Sequence, residues 1–102
     1  MTGKVTVVAR INAAKGKGDQ LAALLQEQAA TVRAAEPGCI DYTPYRSVTD
    51  PDGFLFYEVY QDQVALVFHM KAPHLAAYRK KRQDLGLVEG AAEIQVFPVK
   101  SA

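Results

Sequence analysis

The 102 residues read, in order, as strand, helix, strand, strand, helices and strand, and that order predicts an α+β fold of the ferredoxin-like, split β-α-β kind. Three observations carry the prediction: β-branched apolar runs, one long stretch with a helical apolar period, and proline- and glycine-bearing turns between them. The expected architecture is a four-stranded antiparallel sheet with helices on one face.

Residues 4–11, Lys-Val-Thr-Val-Val-Ala-Arg-Ile, are β-branched and mostly apolar, as a largely buried first strand would be. After the polar turn Lys15-Gly16-Lys17-Gly18, residues Leu21, Leu24, Leu25, Gln28, Ala29 and Val32 recur at three- and four-residue steps. That is one face of a helix, and Asp19 suits its first turn. Proline disfavours the α conformation in the residue before it, so the helix should stop near Glu36-Pro37, with Gly38 turning the chain. Residues 39–48 read as a second strand, and Pro44, which lacks a ladder donor, suggests an edge or a bulge. Asp50-Pro51-Asp52-Gly53 has hairpin chemistry and leads into the strongest strand, residues 54–60, so these two should pair antiparallel.

A short helix is expected from Asp62 through Met70. A second should run from Pro73, well suited to a first helical position, to Leu85-Gly86. Residues 93–97, Glu-Ile-Gln-Val-Phe, alternate polar and apolar as a half-exposed last strand does. Helices on one side leave the other side of the sheet bare, and a second subunit covering it would bury aromatic residues such as Phe54, Phe56 or Tyr57.

Composition bounds the functions. Hydrophobic residues make up 49% of the chain and charged residues 23%, the balance of a globular protein, and residues 1–102 read as one domain. A chain of this length buries only about 60–70% of its unfolded surface, so oligomerisation would stabilise it. A net charge of +1 gives no clustered positive field for phosphate backbones, which argues against nucleic acid as a partner. The lone Cys39 cannot form an internal disulfide, no charged-then-apolar leader is seen, and no apolar run nears the roughly 20 residues of a membrane span. A cytoplasmic protein without membrane partners is expected.

The stretch from Tyr57 to Tyr78 holds both histidines, His69 and His74, and imidazole exchanges protons near neutral pH. On one uninterrupted helix they would lie about 140° apart, but Pro73 breaks the helix before His74 and frees that angle, so they could converge on one pocket. The bland alternative is that His69 bonds a terminal carbonyl of its helix and His74 caps the next. A metal site could draw on His69, His74 and Glu58 or Asp62, but there is no His-Glu-x-x-His pair and no cysteine pair, so no metal is expected.

Cys39 reads as an inert thiol. Arg79, Lys80, Lys81 and Arg82 spread around a helix, as a solvated face does, although His74, Tyr78 and Arg82 share an i, i+4, i+8 stripe on which Arg82 could hold an anionic oxygen. Tyr42, Tyr45, Tyr57, Tyr60 and Tyr78 would suit an aromatic-binding pocket or a core equally well. No glycine loop has Rossmann or P-loop spacing, so no flavin, nicotinamide or nucleotide cofactor is suggested.

Taken together, the Lys15-Gly16 turn entering a long helix, Glu36-Pro37-Gly38-Cys39, the Asp50-Pro51 hairpin, Tyr57-Glu58-x-Tyr60, and Ala65-x-x-x-His69-x-x-x-Pro73-His74 resemble the antibiotic biosynthesis monooxygenase, or quinol-monooxygenase-like, family. The resemblance spans nearly the whole chain. It implies a dimeric α+β barrel, formed by a homodimer, with a cavity between sheet and helices. It further implies a cofactor-free monooxygenase acting with molecular oxygen on a quinol or polycyclic aromatic small molecule. By position it gives His69 and His74 as base or hydrogen-bond partners, with Tyr60 and Tyr78 as cavity wall and donors; Tyr57, from the tyrosine set, and Arg82, from the helix stripe, join them as candidate substrate-binding residues. Relatives that degrade haem use an Asn on the first strand and a Trp; here that strand offers Ala9 and Arg10, and the chain has no Trp. An isomerase of a small phosphorylated hydroxy-diketone, with Arg79, Lys80 or Arg82 on the phosphate, and a non-catalytic dimeric ligand-binding domain are the rival readings.

Overall fold

The computed structural model describes residues 3–98. Strands β1 (Val5–Ala13), β2 (Cys39–Arg46), β3 (Gly53–Tyr60) and β4 (Val88–Pro98) form one antiparallel sheet in the order β2-β3-β1-β4, with helices α1 (Gly18–Ala35), α2 (Gln63–Lys71) and α3 (Pro73–Asp84) between them. This is the ferredoxin-like arrangement. Pro44 lies on the edge strand β2, opposite Phe56, where its missing N–H costs little; the irregularity in that ladder falls instead between Cys39 and Asp41.

Helix boundaries follow local chemistry. The Asp62 carboxylate accepts the Ala65 N–H at 2.8 Å and caps α2, which therefore starts one residue later than expected. Pro73 opens α3 and ends α2 at Ala72. At the far end of α3, Gly86 takes a φ of +61°, its N–H donates to Gln83 O, and Leu87 N–H donates to Arg82 O, a Schellman closure.

Two strand boundaries differ from the sequence reading. β2 stops at Arg46, because the Ser47 hydroxyl accepts the N–H groups of Thr49 and Asp50 and starts the turn there. β4 begins at Val88 rather than Glu93. Its first half, with Gly90, Ala91 and Ala92, lacks strand-forming side chains; pairing with β1 holds it, across a register shift between Arg10 and Asn12 and with Gly90 at a φ of +72°.

Alternation along the strands sorts side chains onto two faces. Val5, Val7, Ala9 and Ile11 of β1 and Phe54, Phe56, Glu58 and Tyr60 of β3 are buried on the helix side. Phe54 and Phe56, expected on the bare face, therefore point into the core, because two residues at even spacing share a face, while Leu55 and Tyr57, out of phase with them, take the other. Leu21, Leu25 and Val32 of α1 pack with Ile11 and Phe56 in one apolar cluster, while Val5, Val7, Tyr60 and Leu66 form a second.

Candidate functional site

Between the two apolar clusters, sheet and helices leave a cavity of about 110 Å³. Val7, Ala9 and Ile11 of β1, Phe56 and Glu58 of β3, and Ile94 and Val96 of β4 form its floor, while Leu66, His69 and Met70 of α2 and Leu75, Tyr78, Arg79 and Arg82 of α3 close it. Tyr42 completes the wall, its ring 4.5 Å from that of Phe56 and 5.3 Å from that of His69. An apolar box with a few polar groups is the usual form of a small-molecule site.

Glu36 organises the histidines. It is the residue at which α1 ends, its N–H held by Val32 O, and the Pro37-Gly38 turn folds its side chain inward until it is 2% exposed. His69, in the last turn of α2, brings Nδ1 to 3.0 and 2.9 Å from the two carboxylate oxygens. His74, second residue of α3, brings Nε2 to hydrogen-bond contact with the same carboxylate. Three helix termini thus meet on one buried anion. The carboxylate accepts, so the Nδ1–H of His69 and the Nε2–H of His74 donate. His69 Nε2 then carries a lone pair on the cavity side, 3.9 Å from Glu58 Oε1. Burial lowers the pKa of His69, opposed by its hydrogen bond to Glu36, so the imidazole favours its neutral, basic form.

Glu58 faces the cavity from β3 and accepts the Tyr60 hydroxyl at 2.6 Å. Burial pushes its carboxyl up from 4.5 to about 7, against the lowering effect of the Tyr60 hydrogen bond, with the Glu36 charge raising it further and Arg79 lowering it. Burial also raises the hydroxyls of Tyr42, Tyr60 and Tyr78, so all three stay protonated donors. On the cavity rim, Arg82 Nη1 donates to the Tyr78 hydroxyl at 3.2 Å, its guanidinium 5.2 Å from the ring centre.

The residues expected in the site separate into three groups. His69, Tyr78 and Arg82 line the cavity. His74 and Tyr60 stand behind it: His74 fixes Glu36, and the fully buried Tyr60 braces Glu58 and lies 5.3 Å from the His69 ring. Tyr57 is on the opposite face of the sheet, 38% exposed, and does not line the cavity. The histidines converge on a carboxylate rather than on a shared pocket, and neither caps a helix: the cap of α3 is Ala72, with no side-chain bond. The Cys39 thiol is pushed up to about 12, chiefly by burial, which favours the protonated thiol over the nucleophilic thiolate.

The sequence profile of the family described as antibiotic biosynthesis monooxygenase matches residues 4–81, most of the chain. The chain belongs to this family. An uncharacterized protein of Synechocystis is 32% identical over 95 residues, 93% of this chain, which spans 63% of the length of that curated relative. Among solved structures, a candidate antibiotic biosynthesis monooxygenase from Caulobacter crescentus superposes with a TM-score of 0.88 at 26% identity, covering 98% of this chain and 92% of its own. A Mycobacterium tuberculosis protein is 29% identical, with a TM-score of 0.82 over 98% of this chain and 99% of its own. In this member of the family the decisive residue not singled out from sequence is Glu36. It is 33 residues from His69, and only its place in the Glu-Pro-Gly-Cys turn marked it.

Proposed function

We propose that the protein is a cofactor-independent monooxygenase of a single-ring quinol or related phenol, with His69 as the base. The observation that carries this is the Glu36–His69 pair, which fixes one ring nitrogen as a donor and leaves the other basic on the wall of an apolar cavity. A cavity of roughly 150 Å³ takes benzene, so about 110 Å³ is the scale of one ring, which favours a monocyclic over a polycyclic substrate.

The chemistry follows from these groups. A substrate hydroxyl about 2.8 Å from both His69 Nε2 and Glu58 Oε1 would subtend roughly a right angle between them, given their 3.9 Å separation. His69 takes its proton, and the electron-rich anion reduces dioxygen. One oxygen atom enters the ring, the other leaves as water, and the quinol is oxidised to the hydroxyquinone. Glu58, with its carboxyl near neutrality, is suited to return a proton to the departing oxygen. Arg79 and Arg82 at the wall would stabilise developing negative charge. The protein would act as a homodimer, in which a second copy covers the bare sheet face.

Oxygen uptake with a panel of substituted quinols tests this reading. The wild-type protein should consume oxygen, and His69→Ala, with folding checked by circular dichroism, should lose about 10²–10⁴-fold in turnover. A folded His69→Ala variant with full turnover would overturn the assignment. Because Arg79 and Arg82 also suit a phosphate, isomerisation of a phosphorylated hydroxy-diketone is the second reading, favoured if no quinol supports uptake and Arg82→Ala abolishes phosphate-dependent binding.

A further inference from the structure

We propose that Glu36, His69 and His74 form a site for one divalent transition-metal ion of the zinc class, bound through a Glu36 oxygen, His69 Nδ1 and His74 Nε2. These three ligand atoms lie within 4.8 Å of one another although they come from three different elements. Tetrahedral zinc, with bonds of about 2.0–2.2 Å, sets its ligands roughly 3.3 Å apart. To admit the ion the 2.9 Å His69–Glu36 contact must part by a few tenths of an ångström, the closer His74–Glu36 contact must part further, and the three atoms, which lie within 4.8 Å, must settle around a common centre.

Charge favours a cation here. Glu36 is a buried carboxylate, and among the described residues no Lys or Arg lies within ion-pair distance of it; its partners are the two imidazoles. Helices α1 and α2 both end at the cluster and turn their negative carbonyl ends towards it, against the single opposing N-terminus of α3. Two imidazole nitrogens and one carboxylate oxygen suit zinc, cobalt or nickel, whereas magnesium and calcium prefer oxygen alone. The His74 side chain is 18% exposed, which gives an ion a path in and solvent a way to supply the remaining ligand. The spacing of the histidines argued against a metal because the helix break at Pro73 and the third ligand, far upstream, are not visible in it.

Binding has a chemical consequence at the cavity. A neutral imidazole carries one N–H. With Nδ1–H on Glu36, Nε2 is the base; with Nδ1 on a metal, the proton resides on Nε2 and the cavity faces a donor instead. The ion would therefore silence the base, a consequence that rests on the functional reading above, whereas binding itself does not.

The test uses tag-free protein stripped with a chelator. Titration with Co²⁺, followed by visible absorption and isothermal calorimetry, should saturate at one ion per chain, and Zn²⁺ should displace it. His74→Gln, at a partly exposed position, removes a direct ligand and should weaken binding by at least about the 100-fold that loss of an outer-shell partner can cost. Zn²⁺ should also move the His69 proton from Nδ1 to Nε2 in ¹⁵N spectra. Equal binding by wild type and His74→Gln, or no saturable binding at one ion per chain, overturns the proposal. Zinc that binds without slowing quinol oxidation leaves the metal site standing and removes the base. Loss of turnover in His69→Ala without any zinc binding does the reverse.

Discussion

At the scale of single residues, Glu58 is a carboxyl whose environment opposes its charge. Its carboxyl is raised from 4.5 to about 7, so between those values the folded state holds a proton that the unfolded state has released. Stability from this group is complete below about pH 4.5 and is lost as pH rises through about 7, an effect on the order of 3 kcal/mol. His69, lowered by burial, works the other way and costs stability as pH falls below 6.5. Tyr60, His69, Glu36 and Arg79 all face or influence Glu58, so the wild-type curve is composite. The difference between wild type and Glu58→Gln isolates the carboxyl. In urea melts from pH 4.5 to 8, wild type should fall relative to the variant as pH rises, and parallel curves would contradict the raised pKa. Legibility at this scale is uneven. His69, Tyr78 and Arg82 could be named because imidazole, phenol and guanidinium are chemically conspicuous. Glu36 could not, because a carboxylate at a helix end is ordinarily solvated, and only the inward turn at Pro37-Gly38 makes it a buried anion.

Among the elements, the contact of α2 with the Glu36-Pro37-Gly38 turn sets the site. A Cβ at Gly38 would meet the Ala65 Cβ at 2.7 Å, too close for either backbone to stay in place. Gly38→Ala should therefore push α2 outward, draw His69 off Glu36 and destabilise the fold by about 1–3 kcal/mol. Ala65→Gly removes the opposing methyl, so the double variant should recover part of that loss despite the helix penalty of glycine. Additive losses in thermal denaturation would show that the contact does not position α2. Helices and turns were readable from sequence since their signals are local: Asp62, Pro73 and Gly86 each act on backbone groups within a few residues. The start of β4 was not, because Gly90, Ala91 and Ala92 extend only through the pairing of that segment with β1, a partner more than seventy residues away.

For the molecule as a whole, helices cover one side of the sheet and leave Val8, Leu55, Tyr57, Val59 and Phe97 on the other, with Tyr57 and Phe97 38% and 49% exposed. Burying such a face against its own copy gives a two-fold interface to which Tyr57 contributes twice, once from each copy. Sedimentation equilibrium should find a dimer, and Tyr57→Lys should shift it to monomer while circular dichroism stays unchanged; a monomeric wild type at micromolar concentration would remove the proposal. The order of elements sufficed to anticipate the sheet, whereas the side on which Phe54 and Phe56 fall depends on strand phase, which a continuous apolar run leaves open.

The site also straddles two kinds of structure. Glu58 and Tyr60 sit on β3, hydrogen-bonded to strands on both sides, while His69 rides on the nine-residue α2, anchored by one capping carboxylate, a short apolar face and its own bond to Glu36. Such a helix can open locally without disturbing the sheet. Each opening would carry the imidazole away while the carboxyl stays in place, so in the proposed mechanism proton acceptor and proton donor would belong to separate cooperative units.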